Sequence, residues 1–150
     1  MKSFATLAEL QYLVGQEIAV GDWVEVTQDR IQRFAEATGD HQWIHVDPER
    51  AKAGPFGTTI AHGFLTLSLL PEMAANAFEV RDTKMGVNYG LNRVRFPAPV
   101  PSGSRLRGHF RLLKYEPLEG GAQLTTEVKM EREGSDKPVC IAESVARRYT

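Results

Sequence analysis

Ile60-Ala61-His62-Gly63-Phe64-Leu65-Thr66-Leu67-Ser68-Leu69-Leu70-Pro71-Glu72-Met73-Ala74-Ala75-Asn76-Ala77 is the stretch on which the fold turns. Phe64, Leu65, Leu67, Leu69, Leu70, Met73 and Ala74 spread nearly all round a helix, and a helix apolar on most sides is buried on most sides. Pro71 removes one backbone hydrogen bond, so the helix is expected to kink or to divide in two there. The apolar run from Phe64 to Leu70 is far shorter than a bilayer span. Such a helix needs something to wrap it.

The chain after about Met85 supplies the wrapping. Arg105 to Lys114 alternates Leu106, Gly108, Phe110 and Leu112 against Arg105, Arg107, His109 and Arg111. Leu124 to Met130 alternates with the same period of two, and Gly120-Gly121 between the two runs reads as a hairpin turn. Val139 to Tyr149 supplies another strand. Alternation of this kind marks antiparallel strands with one wet face. The fold class is therefore α+β, an antiparallel sheet wrapped round a long central helix. Residues 1–150 form a single domain, a length that suits one core. Pro97, Pro99 and Pro101 mark a strand edge or end.

The first half reads as shorter elements. Leu7, Leu10, Tyr12 and Leu13 suggest a short amphipathic helix ending at Gly15, and Trp23 to Val26 a short strand. Thr27 caps a helix carrying Ile31, Phe34, Ala35 and Thr38 on one face. Asp47-Pro48-Glu49 starts another, with Asp as cap and Pro at the first position.

Bulk properties exclude several functions. Net charge is -1 with 25% charged and 42% hydrophobic residues, which leaves no basic footprint for nucleic acid. The N-terminus has one Lys and no apolar signal core after it. The only cysteine, Cys140, reads as a small buried hydrophobe, which fits a cytoplasmic protein. No phosphate loop, CxxC or Ser-His-Asp ordering is present.

What remains is a polar stretch between two apolar elements, Thr38-Gly39-Asp40-His41-Gln42-Trp43-Ile44-His45. Gly39 is a helix stop, so Asp40 and His45 share a loop and can converge on one water. Asp40 is the candidate base; burial beside Trp43, Ile44 and Phe56 is expected to raise its pKa to a useful value. His45 titrates near neutrality and can hold the same water. His41 lies four before His45, a zinc-like spacing, but Gly39 argues against one continuous helix and no further ligand set completes a site, so no metal is assigned. His62 and Gly63 open the buried helix, where free N–H groups can hold a developing oxyanion. At Gly63 a side chain would crowd the approaching oxygen. A base, a second acid/base and an oxyanion site are the equipment for adding water to a carbonyl-activated double bond.

These residues carry a resemblance. Phe34-Ala35-x-x-Thr38-Gly39-Asp40-x-x-x-x-His45-x-Asp47, then Ile60-Ala61-His62-Gly63-Phe64, resembles the hydratase motif of the MaoC-like, R-specific enoyl-CoA hydratases. Asn88 to Val100 is similar to the strand after the central helix in single-domain members. The resemblance implies the hotdog fold and a homodimer in which two sheets join edge to edge. It implies reversible hydration of trans-2-enoyl-CoA to (R)-3-hydroxyacyl-CoA in fatty acid metabolism, with coenzyme A as part of the substrate and no cofactor. It places Asp40 and His45 on one water, and Gly63, with His62 beside it, at the thioester oxygen. Two alternatives stay open: a hotdog acyl-CoA thioesterase, in which the activated water attacks the carbonyl carbon, and a non-catalytic acyl-thioester-binding protein.

Overall fold

Local signals set the first half of the chain, in a computed structural model that describes all residues from Met1 to Thr150. Strand β1 (Lys2–Phe4) precedes a 3₁₀ helix over Leu7–Leu13. The sequence suggested a short helix here. The leucines at positions 7, 10 and 13 recur every three residues, the period of a 3₁₀ helix, so Leu7 and Leu10 are buried one above the other and Leu13 packs against the core. Strands β2 (Glu17–Val20) and β3 (Val24–Val26) follow.

Helix α1 (Gln28–Thr38) starts as expected, with Thr27 Oγ1 accepting from the Arg30 N–H at 3.1 Å. It stops at Gly39, whose φ of 82° is open to glycine at no steric cost and whose N–H returns to the Ala35 carbonyl. A four-residue helix α2 (Trp43–Val46) comes next, which the sequence read as loop. Helix α3 (Pro48–Lys52) has the expected cap, Asp47 Oδ1 accepting from the Arg50 N–H at 3.1 Å.

The central helix is not continuous. It begins at Gly63 rather than Ile60 and divides at Leu69 into α4 (Gly63–Ser68) and α5 (Leu70–Ala77), with Pro71 in the first turn of α5. A proline in a first turn lacks only an N–H that would have been unpaired there. Leu65, Leu69, Met73 and Ala77 are buried, and α5 packs on β6 while α4 meets β8. Burial on most sides does not hold for Phe64, which is 71% exposed in the single chain.

Strand β4 (Phe78–Val80) pairs in parallel with β1, a three-residue pairing absent from the sequence reading. Then β5 (Met85–Arg95), β6 (Ser104–Leu118), β7 (Gly121–Arg132) and β8 (Cys140–Tyr149) build the sheet with antiparallel order β2-β6-β7-β8-β5, and β3 also lies on β6. Leu106, Phe110 and Leu112 point to the core as the alternation required. A bulge between Leu112 and Lys114 ends that alternation. Cys140 is fully buried, and burial pushes its thiol up to about 11. The sheet curls over α4 and α5, and 26 buried residues form one core cluster. The proline segment follows the end of β5 and forms a rail beside Thr59–Ala61. Ala61 N–H donates to Val100 O at 2.8 Å and Ser102 N–H to Thr59 O at 2.9 Å.

Candidate active site

Three chain segments meet at the start of α4: the Gly39–Gln42 loop, helix α2, and the strand-like Thr59–His62 approach. Ile60 ties the last two together. Its N–H donates to Ile44 O at 3.0 Å, and its carbonyl accepts from His45 Nδ1 at 2.7 Å. Helix α1 clamps the same junction from outside. Gln28 Nε2 donates to His45 O at 2.8 Å, Gln32 Nε2 donates to Val46 O at 3.1 Å, and Thr59 Oγ1 donates to Gln28 Oε1 at 2.6 Å. The sequence reading missed Gln28, Gln32 and Thr59. The only signal for them was the four-residue spacing of the two glutamines, which puts them on one helix face.

His45 is 6% exposed and His62 2% exposed. Their rings stack with centroids 3.9 Å apart and 26° between planes, and Phe34 closes the other side of His62 at 4.9 Å. His62 Nε2 lies 3.0 Å from the backbone carbonyl of Asp40. A carbonyl only accepts, so each bond fixes a tautomer: His45 is protonated on Nδ1 and His62 on Nε2. Neutral His45 therefore presents a lone pair at Nε2, and neutral His62 one at Nδ1.

Asp40 departs from expectation. It is exposed rather than buried, as is Phe56 at 45%, while Trp43 and Ile44 are half-buried. Its Oδ1 accepts from the Gln42 N–H at 3.3 Å, the turn bond common for Asp, which leaves the second oxygen free. The structure nonetheless brings Asp40, His45 and His62 together: one carboxylate oxygen and one ring nitrogen from each histidine lie within 4.8 Å of one another. Two acceptors at that distance can share a single water at about 2.8 Å from each. His41 is exposed and stands outside the group. His62, which lies 22 residues beyond Asp40 in the chain, is the third member of the group.

Gly63 is the first residue of α4, and its N–H has no partner within the helix. Packing also leaves little room for a side chain there. A Cβ there would stand 3.1–3.3 Å from the ring of Phe96. The side chain of His62 gives its Nε2–H to the Asp40 carbonyl and so ties the Asp40 loop to the start of α4.

Burial lowers the His45 pKa below its ordinary 6.5, with the nearby His62 adding to the drop; the Ile60 carbonyl and Asp40 pull the other way. An unfolded chain binds a proton at His45 more readily than the folded one. The stability tied to this histidine is thus fully present above pH 6.5 and is lost as pH falls through the lower folded-state value. Denaturant unfolding at pH 7.5 and 5.5 is expected to show wild type losing more stability on acidification than His45→Gln. Equal losses would remove His45 as a cause.

A hydrophobic groove of about 340 Å³ runs between α4–α5 and β5, lined by Leu67, Leu70, Pro71, Tyr89 and Leu91 among others. Asn88 and Tyr89 both line it, while Arg93 and Arg95 are exposed on β5.

Residues 9–134 match the model of the MaoC-like domain. The 3-hydroxyacyl-thioester dehydratase Z of Mycobacterium tuberculosis is 54% identical over 148 residues, covering 98% of each chain. Nodulation protein N of Rhizobium leguminosarum bv. viciae is 48% identical over 91% of this chain and 87% of its own. Among solved structures, the unliganded R-hydratase PhaJ1 from Pseudomonas aeruginosa superposes with a TM-score of 0.74 at 24% identity, over 97% of this chain and 86% of that one. That last likeness establishes the shared hotdog fold.

Proposed function

Because this chain belongs to the MaoC-like dehydratase domain family, we propose that it catalyses reversible hydration of a trans-2-enoyl thioester to the (R)-3-hydroxyacyl thioester, with coenzyme A as the carrier, in cytoplasmic fatty acid metabolism. The observation that carries this reading is the Asp40–His45 pair at the mouth of the α4 start. Asp40 and His45 Nε2 both accept hydrogen bonds, so the pair can hold both protons of one water and aim its lone pair at the β carbon. Asp40 takes a proton as the oxygen attacks. The electrons of the double bond move toward the thioester oxygen, which the Gly63 N–H holds. The proton then returns to the α carbon, so one water is added and nothing is oxidised or reduced. No cofactor is required, because the thioester itself acidifies the α carbon.

The test is loss of the conjugated enoyl thioester absorbance with crotonyl-CoA and a longer trans-2-enoyl-CoA. Absorbance loss without release of free thiol is expected. Free thiol from a saturated acyl-CoA would instead identify a thioesterase. Binding with no turnover of either would identify a non-catalytic acyl-thioester-binding protein.

The same reading includes a homodimer. Strand β5 pairs with β8 on one side only, and Met85, Val87, Tyr89 and Leu91 on it are exposed large apolar residues, as is Phe64 beside it. An eleven-residue edge strand with exposed apolar side chains over its first half invites pairing with another chain. Sedimentation is expected to give twice the 16.7 kDa chain mass, and Leu91→Lys to shift it toward the monomer. A monomeric wild type would overturn the edge-to-edge assembly.

A further inference from the structure

Arg148 stands where the alternation of β8 calls for a core residue. It shares a face with Cys140, Ala142, Ser144 and Ala146, and its partner across the ladder is the fully buried Ala122. Its half-buried side chain sets Cζ 5.3 Å from the centroid of the Phe78 ring. It forms no ion pair and donates no side-chain hydrogen bond within the chain. Its neighbour Arg147, on the outer face, donates to Gln123 and stacks on Tyr89. The carboxylates on α5, on β4 and just after it are engaged elsewhere: Glu72 with Arg30, Glu79 with Ser3 Oγ, and Asp82 with the Leu7 N–H. Burial lowers the Arg148 pKa from its usual value, the sign of a cation that has lost water without gaining a counter-charge.

A cavity of about 50 Å³ lies beside this residue, with Ile18, Ala74, Phe78 and Phe110 in its wall. It offers several times the roughly 10–15 Å³ that one water needs. Arg148 is the only charged residue lining it. The hydrophobic groove between α4–α5 and β5 adjoins it, since Leu70 and Ser144 line both. No charged residue lines the groove.

We propose that groove and cavity together receive a long acyl chain whose far end carries a carboxylate, held by the Arg148 guanidinium. The identity of the ligand as an acyl thioester rests on the proposed function; the carboxylate at its far end is the addition. A methyl end placed there would strip further water from a cation and offer it no acceptor. A carboxylate accepts two parallel charge-assisted N–H···O bonds from the guanidinium fork. Reach agrees with this. Gly63 opens α4, and the groove begins at Leu67, about one turn further on. The cavity wall at Ala74 is about 16 Å of helix from Gly63 at most. An extended chain gains about 1.2 Å per bond, so about twelve carbons cover the distance.

The test is calorimetric binding of dodecanedioyl-CoA and dodecanoyl-CoA to the full chain. Both are saturated, so binding is read apart from hydration. Wild type is expected to bind the dioyl ester at least as tightly as the methyl-ended one. Arg148→Met keeps the aliphatic stem, and is expected to weaken dodecanedioyl-CoA by about 10-fold or more without weakening dodecanoyl-CoA. Arg148→Lys, which keeps the charge, is expected to restore the dioyl ester in part. Circular dichroism on each variant checks the fold. A wild type that prefers dodecanoyl-CoA, or that binds neither ester, would overturn the subsite. So would Arg148→Met affecting both esters alike, the result expected if a carboxylate of the partner subunit already pairs with the guanidinium. Hydration of a methyl-ended enoyl-CoA without any such preference would overturn the subsite and leave the hydratase reading standing. An Arg148-dependent preference in a protein that hydrates no enoyl thioester would sustain the subsite and sink the hydratase reading.

Discussion

Asp40→Asn is expected to lower hydration turnover by about 10²-fold or more while leaving the fold intact. The two halves of this expectation have separate causes. Asp40 is exposed, and its one side-chain hydrogen bond is the 3.3 Å contact with the Gln42 N–H. An asparagine keeps a carbonyl oxygen at that place and the backbone carbonyl that His62 uses. Nothing buried is disturbed, so circular dichroism and the unfolding midpoint should match wild type. An amide, however, takes no proton from water at neutral pH. Initial rates of enoyl absorbance loss on the two proteins make the comparison. An asparagine variant running near the wild-type rate would remove Asp40 from the mechanism.

His45→Gln is expected to lose both activity and stability, by about 10²-fold in turnover and about 1–3 kcal/mol in unfolding free energy. The imidazole serves two sides at once. Its Nδ1–H satisfies the Ile60 carbonyl at 2.7 Å, and its ring stacks on His62 at 3.9 Å. Removing it strands a buried carbonyl and leaves a gap beside a second buried ring. Its Nε2 keeps the lone pair that the proposed chemistry uses. Urea unfolding and steady-state rates measured on the same preparation separate the roles. A variant that loses stability but turns over normally would make His45 a structural histidine only. A variant that loses rate alone would show that glutamine can replace the Ile60 bond.

These expectations differ because the two residues sit differently in the fold, and that difference was not legible beforehand. The spacing of Asp40 and His45 identified them as partners. It implied nothing about which of them is buried. The burial expected for Asp40 falls instead on His45, because helix α2 turns His45 inward under the Ile60 carbonyl while the loop after Gly39 runs along the surface. His62 entered the sequence reading as a residue beside the oxyanion glycine. Its actual partners, the Asp40 carbonyl and the rings of His45 and Phe34, all come from elements at least seventeen residues away. Gly63 drew attention for the space a thioester oxygen needs; that a Cβ there would also press on the ring of Phe96, thirty-three positions on, was not legible.

Interactions within a turn or two of chain were determined by the sequence itself. The Thr27 and Asp47 caps, the helix stop at Gly39, and the inward set Leu106, Phe110 and Leu112 all follow from neighbours three, four or two residues away, whose geometry the backbone dictates. The amount of apolar surface on Ile60–Ala77 likewise required a sheet to cover it. Only the tertiary structure decided the parallel pairing of β1 with β4, the uncovered edge of β5, and the meeting of the Asp40, His45 and His62 side chains. Each of these depends on where distant segments cross, and a crossing is set by the packing of the whole core rather than by any local spacing.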